Sequence, residues 1–185
     1  MVASYAGVVQ TSDGNNSISI RGNSPFGLIW RMEGVDIPNP NHFAGVANSG
    51  GGISILSSQL LSNSDFLTGA FPAEYGNALA GVFDLNLRKG NDEKREYTVQ
   101  AGLLGVDVAA EGPFSKNSRG SYLINYRYST LSILSKMGLN IFDGATDFQD
   151  LSYNFYLPTR KSGNFSLFGF GGLSSQKYLA KKDSS

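Results

Sequence analysis

The 185-residue chain contains no cysteine. This excludes disulfide scaffolds, cysteine-ligated zinc, iron–sulfur clusters and thiol catalysis. It does not exclude export, because exported proteins also lack cysteine. Charge is scarce: Asp, Glu, Lys and Arg together make up 16 %, against about 25 % in an ordinary soluble domain. Neither sign dominates, with 15 basic and 15 acidic residues, which argues against nucleic-acid binding and its basic excess. Histidine occurs once, at His42, so no HExxH-type zinc site can form. A lone histidine in an Asn/Pro loop reads as a surface residue rather than a catalyst. EF-hand spacing, a phosphate loop following Gly50-Gly51-Gly52 and a GxSxG elbow are all missing. Nothing supports enzymatic chemistry, a cofactor or a metal. No apolar run approaches the roughly 18 residues of a membrane-spanning helix. Residues 1–5 show no signal-peptide pattern.

Glycine and aromatic residues are plentiful, at 23 glycines and 12 % aromatics, in a chain that is 41 % hydrophobic. This is too apolar for disorder. It suits a β-rich chain that does not face water alone. Composition shifts near Arg88, and a boundary is expected at about residue 90.

Before that boundary, short strands alternate with loops rich in Gly, Asn, Ser and Pro. Residues 17–21 and 27–32 read as strands, and 38–52 as a loop. Ile53, Leu56, Leu60 and Leu61 fall at helical spacing, so a short amphipathic helix is expected over 53–61. A brief strand is expected over 65–68, one helical turn over 74–79 and an alternating strand over 82–88. The first half is thus expected to be a small α+β unit, a short mixed sheet with short helices.

The second half carries longer alternating segments. Residues 96–112 read as one strand or as two joined near Leu104-Gly105. Over 121–129, Tyr122, Ile124, Tyr126 and Tyr128 share one face, and Asn125, Arg127 and Ser129 the other. Over 151–157, Leu151, Tyr153, Phe155 and Leu157 oppose Ser152 and Asn154. A further strand is expected over 164–174, with Phe165, Leu167, Phe168 and Phe170 on both faces. The connections 113–120 and 158–163 are short, while 130–150 is long. Short turns on one side and long loops on the other characterise transmembrane β-barrels. A soluble β-sandwich also alternates, and periodicity alone leaves both open. The Asn-x-Ser triplets at Asn15 and Asn164 read as chance matches.

Three stretches in fixed order carry a resemblance. They are Ser17-Ile18-Ser19-Ile20-Arg21-Gly22, then Met32-Glu33-Gly34-Val35-Asp36-Ile37-Pro38-Asn39-Pro40-Asn41-His42-Phe43, then the run from Thr68-Gly69-Ala70-Phe71-Pro72 through Glu74-Tyr75-Gly76 and Gly81-Val82 to Arg88. Together with Tyr5-Ala6-Gly7-Val8-Val9-Gln10, this resembles the plug domain of TonB-dependent outer-membrane receptors, especially those of Bacteroidetes-type bacteria. The resemblance covers about residues 1–90. Residues 91–185 then look like the first four or five antiparallel strands of the transmembrane β-barrel that follows a plug in the family. A closed family barrel has about 22 strands. The expectation is therefore a fragment: an N-terminally truncated plug and an incomplete barrel.

The resemblance implies a location in the bacterial outer membrane and uptake of a scarce nutrient, with energy coupled through TonB. Ligand binds from outside, and the plug shifts to open the lumen. The implied partners are TonB through a region upstream, outer-membrane lipid, a small-molecule or oligosaccharide ligand, and in some members a surface lipoprotein. The loops 10–16 and 38–51 would face the ligand, offering Asn15, Asn39, Asn41, His42 and Phe43. The same residues also make ordinary Asx and Pro turns. Arg21 would sit at the plug–barrel contact. Thr68 stands where many members carry a second arginine, and Glu33 where aspartate is usual. Gly22, Gly34, Gly69, Gly76 and Gly81 read as backbone devices, by positive φ or close packing. The alternative from another class is a soluble β-rich ligand- or glycan-binding module. In that case the aromatic rows of 122–128 and 151–157 should be buried against a second sheet.

Overall fold

The computed structural model describes residues 5–11, 17–44, 50–102, 105–116, 119–130, 133, 137 and 144–178. The chain divides into two compact units, Met1–Arg88 and Lys89–Ser185. Among the described residues it is mostly β-sheet, and no helix is long and apolar enough to cross a membrane.

The first unit runs β1 (Val8–Gln10), β2 (Ile18–Ile20), β3 (Leu28–Met32), β4 (Val35–Ile37), β5 (Asn41–His42), β6 (Ile53–Ser54), β7 (Asp65–Leu67) and β8 (Gly81–Leu85). β1 pairs with β2 and β5 with β6, both antiparallel. The remaining four strands form a mixed sheet in the order β4-β3-β8-β7, with β3 and β8 parallel. Alternation sorts its faces. Leu28, Trp30 and Met32 align with Gly81, Phe83 and Leu85. On that face Trp30 stacks on Phe83 at 4.2 Å, and Phe83 on Phe66 at 4.4 Å. Phe66, Phe83 and Leu28 pack against buried Val8, Ile18 and Ile20. The opposite face carries Asp36, Arg31, Asp84 and Asp65 in one cross-strand row.

The expected helix over 53–61 does not form. β6 occupies its start, and turns follow. Serines divert the backbone: Ser54 Oγ accepts the Leu56 N–H at 3.1 Å, and Ser57 Oγ accepts the Gln59 N–H at 3.2 Å. Such local bonds compete with the helical ladder. Leu56 and Leu60 are buried all the same. The expected turn over 74–79 is a 3-10 turn at Ala73–Tyr75, with another at Pro25–Gly27. The α+β expectation for this unit is therefore corrected to a nearly all-β one.

The second unit is an open five-stranded antiparallel sheet in sequence order, not closed into a barrel. Its strands are β9 (Glu96–Ala101), β10 (Val106–Pro113), β11 (Ser121–Tyr128), β12 (Gly144–Pro158) and β13 (Asn164–Tyr178). Residues 96–112 are thus two strands, and between them the Gly102 N–H donates to the Gly105 carbonyl at 2.9 Å. The long connection is shorter than expected, because β12 begins at Gly144 rather than at Leu151. Pairing settles the faces of β13: Phe165, Leu167, Gly169 and Gly171 align with Leu157, Phe155, Tyr153 and Leu151. Phe168 and Phe170 align with Asn154 and Ser152 on the other face. Gly169 leaves room for the Tyr153 ring, since a Cβ there would lie 2.6 Å from its Oη.

Gly90 anchors the entry to this sheet. It has φ +71°, and a Cβ would lie 2.6 Å from the Tyr122 carbonyl oxygen. Gly90→Ala is expected to cost about 1–3 kcal/mol through the left-handed backbone alone. A lower urea midpoint for the full-length protein checks this, and an unchanged midpoint contradicts the close approach.

Candidate functional site

The three sequence stretches hold all four non-glycine residues with positive φ among those described: Arg21 (51°), Glu33 (49°), Phe43 (56°) and Ala70 (52°). Left-handed non-glycine residues are costly and concentrate at functional positions. In the first stretch, Arg21 and Gly22 (φ 77°) reverse the chain, and the Asn23 N–H donates to the Ile20 carbonyl at 2.9 Å. In the second, Glu33 and Gly34 (φ 80°) make the two-residue hairpin between β3 and β4, where both central residues take positive φ. The Leu87 N–H donates to Glu33 Oε1 at 2.6 Å. The carboxylate at this turn thus ties the hairpin to the end of the third stretch.

Arg21 and Gly69 meet. The Arg21 guanidinium lies where a Cβ on Gly69 would fall, 2.9 Å from Nη1. Arg21 itself is exposed. A Cβ on Gly81 would strike Ile20 Cδ1 at 2.5 Å, so the first and third stretches pack through two glycines. At Gly76 neither glycine condition holds: φ is −59°, and the nearest atom to a Cβ would be 3.9 Å away.

Asn39, Asn41, His42 and Phe43 gather at the β5–β6 corner. Asn39 Nδ2 donates to the Gly50 carbonyl at 2.9 Å, and Asn41 Nδ2 to Asn39 Oδ1 at 2.5 Å. Gly51 packs on Asn41, where a Cβ would come within 2.4 Å of the Asn41 Cβ. His42 is buried, with 3 % of its surface exposed, which corrects its reading as a surface residue. Its backbone is paired to Ile53, and its ring lies 5.9 Å from that of Phe43. Asn15 lies outside the described residues.

Sequence reasoning missed a polar knot on the charged face. Tyr75 Oη donates to Asp84 Oδ2 at 2.6 Å. The Arg31 guanidinium lies 5.0 Å from the centre of the Tyr75 ring and 3.6 Å from Glu74. The hydrogen bond to Asp84, with burial and that carboxylate's charge behind it, pushes the Tyr75 phenol up to about 12. The visible signal was the Glu74-Tyr75 pair, but its partner stands on β8.

The five-stranded sheet is inverted relative to a soluble one. Its polar face is buried: Ser121, Asn125, Ser129, Asp150, Ser152 and Asn154 are each at most 2 % exposed. Arg127 Nε donates to Asp150 Oδ2 at 2.8 Å, and its guanidinium lies 5.2 Å from the Phe148 ring centre. Asn125 Nδ2 donates to Asp107 at 3.2 Å, and Ser166 Oγ to Asn154 at 2.9 Å. Removing one partner of such a buried ion pair costs about 3–5 kcal/mol. The other face exposes Tyr97, Val99, Val108, Ile124, Tyr126, Leu151, Leu157, Phe165, Leu167 and Leu173. Fully burying one such side chain is worth about 1.5–3 kcal/mol. At half that value the ten together forgo about 10 kcal/mol, comparable to a domain's whole net stability of about 5–15 kcal/mol. A groove of about 510 Å³ over Gly169 and Gly171, walled by Tyr126, Leu151, Tyr153 and Leu173, continues this apolar surface. Among the described residues no group of His, Asp and Glu could hold a metal ion.

No protein-family model matches the chain, and no curated protein matches it. A solved structure described as the "Crystal structure of the ferric enterobactin receptor (PfeA) in complex with BCV-L6" is similar, with a TM-score of 0.54 and 12 % identity. The match covers 95 % of this chain and 30 % of that one. The likeness is one of fold. This chain spans under a third of the receptor it matches.

The Tyr75–Asp84 bond gives a pH test. A phenol raised from 10 to about 12 stabilises the folded form below pH 10 and loses that contribution as pH rises through 12. Tyr75→Phe is expected to cost about 1–2 kcal/mol at pH 8. The difference from wild type should vanish above pH 12. A pH-independent difference in urea-denaturation free energy contradicts the bond.

Proposed function

We propose that the protein is part of a TonB-dependent outer-membrane receptor that imports a scarce nutrient. On this reading residues 1–90 belong to the plug and residues 91–185 supply the first strands of the barrel. The observation that carries it is the inverted sheet. Antiparallel sheets in water bury the apolar face, whereas barrel strands in a membrane turn it outward and keep the polar face in. The apolar row of β13 from Phe165 to Leu173 runs about 27 Å at the usual rise per residue. Tilted by about 40°, it covers about 20 Å of height, close to the apolar band of about 25 Å in such barrels. The soluble alternative needs the rows of β11 and β12 covered, but Tyr126 and Leu151 stand 41 % and 47 % exposed. The likeness to a receptor chain supports the same reading.

Within this proposal, Arg21 is held on Gly69 at the plug's surface to meet barrel carboxylates. The corner carrying Asn39, Asn41 and Phe43, with His42 buried as its support, belongs to the ligand-facing loops, as does Asn15. The ligand is a small molecule or an oligosaccharide, and TonB acts through a region upstream.

The test uses the native full-length protein in its host. It should fractionate with outer membranes and resist carbonate extraction. Deleting its gene and inactivating TonB should abolish growth on the same source within a panel of glycans and iron chelates supplied as limiting nutrients. Recovery in a soluble fraction, or growth of both mutants on every source, overturns the proposal.

A further inference from the structure

We propose that the two short turns of the five-stranded sheet form a cationic rim that binds anionic phospholipid headgroups. The inference rests on the membrane reading above. The β10–β11 turn carries Lys116 and Arg119, and the β12–β13 turn carries Arg160 and Lys161. Residues 114–120 and 159–163 contain no acidic residue. All four cations are exposed. The order β13-β12-β11-β10 puts the turns two strand spacings apart, about 10 Å. That is about one Debye length at moderate salt, so the turns act together.

Aromatic side chains lie just inside this rim. The Phe114 ring is 5.8 Å from Tyr122 and 6.0 Å from Phe155. Such rings settle at headgroup level, which places Lys116, two residues past Phe114, and Arg160, five past Phe155, further out among the phosphates. The two connections at the other end lack this bias. Residues 102–105 are uncharged, and 129–143 hold one lysine and one aspartate. The long connection 129–143 leaves the other end, and long loops lie outside in such barrels, so the leaflet this rim meets is one of ordinary phospholipid. Each cation near an anionic surface contributes roughly a fivefold preference.

The experiment reconstitutes the full-length protein into phosphatidylcholine nanodiscs. Spin-labelled phosphatidylglycerol or phosphatidylcholine is added in trace amounts, and the motionally restricted fraction is measured. Phosphatidylglycerol should be preferred about twofold or more when averaged over all contacting lipid at low salt. The preference should fall toward unity near 1 M salt, where the Debye length is about 3 Å. The quadruple variant K116Q/R119Q/R160Q/K161Q should show no preference with an unchanged far-UV CD spectrum. If it misfolds, the pairs K116Q/R119Q and R160Q/K161Q should each lower the preference. A wild type without preference, or variants that keep it, overturns the rim. A protein that enters no bilayer overturns the membrane reading itself.

Discussion

Everything after Arg88 depends on one alternation: the side of the sheet that is apolar is the side that is exposed. The register makes this a property of the whole sheet. Leu123 aligns with Asn154, Asn125 with Ser152 and Arg127 with Asp150 on the buried face. Ile124 aligns with Tyr153 and Tyr126 with Leu151 on the exposed one. A slip of one residue would exchange the faces completely. The buried ion pair of Arg127 and Asp150 opposes such a slip, because either partner alone would be a costly buried charge. The exposed face is one that an apolar solvent would suit, while the buried face pairs Arg127 with Asp150, Asn125 with Asp107 and Ser166 with Asn154.

The first unit works differently. Its sheet is small, and its stability comes from a stack of rings, Trp30 on Phe83 on Phe66, over a cluster of buried aliphatic residues. Its special features are turns. Among the described residues four non-glycines hold positive φ, and two of them, Arg21 and Glu33, use their side chains to join distant stretches. Such strain persists only where the surroundings over-determine it. Here close glycine contacts and the Glu33–Leu87 bond supply that determination.

Much of this was legible in the sequence, for physical reasons. β2, β8 and β11 alternate, and a period of two has no helical counterpart. The membership of each face of β11 could be read directly. Which face would be buried could not, because alternation is the same in a membrane and in a sandwich. The segment 53–61 misled because leucine spacing matched a helix while Ser54 and Ser57 claimed the backbone N–H groups. β12 extends to Gly144 through Asp147 and Gln149, polar residues that read as loop until β13 is found alongside. At the β5–β6 corner, composition identified a loop, but His42 is buried where β5 pairs with β6, a pairing that composition does not reveal. The Tyr75–Asp84 bond escaped for the same reason.

These 185 residues contain no cysteine, so once any cysteine elsewhere in the full-length protein is replaced by serine, a thiol introduced into the sheet can be labelled alone. Single cysteines at positions 123, 124, 125 and 126 of the full-length protein in bilayers can carry a nitroxide label. Its collisions with oxygen, which concentrates in lipid, are then compared with those of a water-soluble nickel chelate. High oxygen accessibility at 124 and 126, with low accessibility to both at 123 and 125, is the expected result. High chelate accessibility at 124 and 126 would contradict a lipid-facing sheet, and with it the receptor reading.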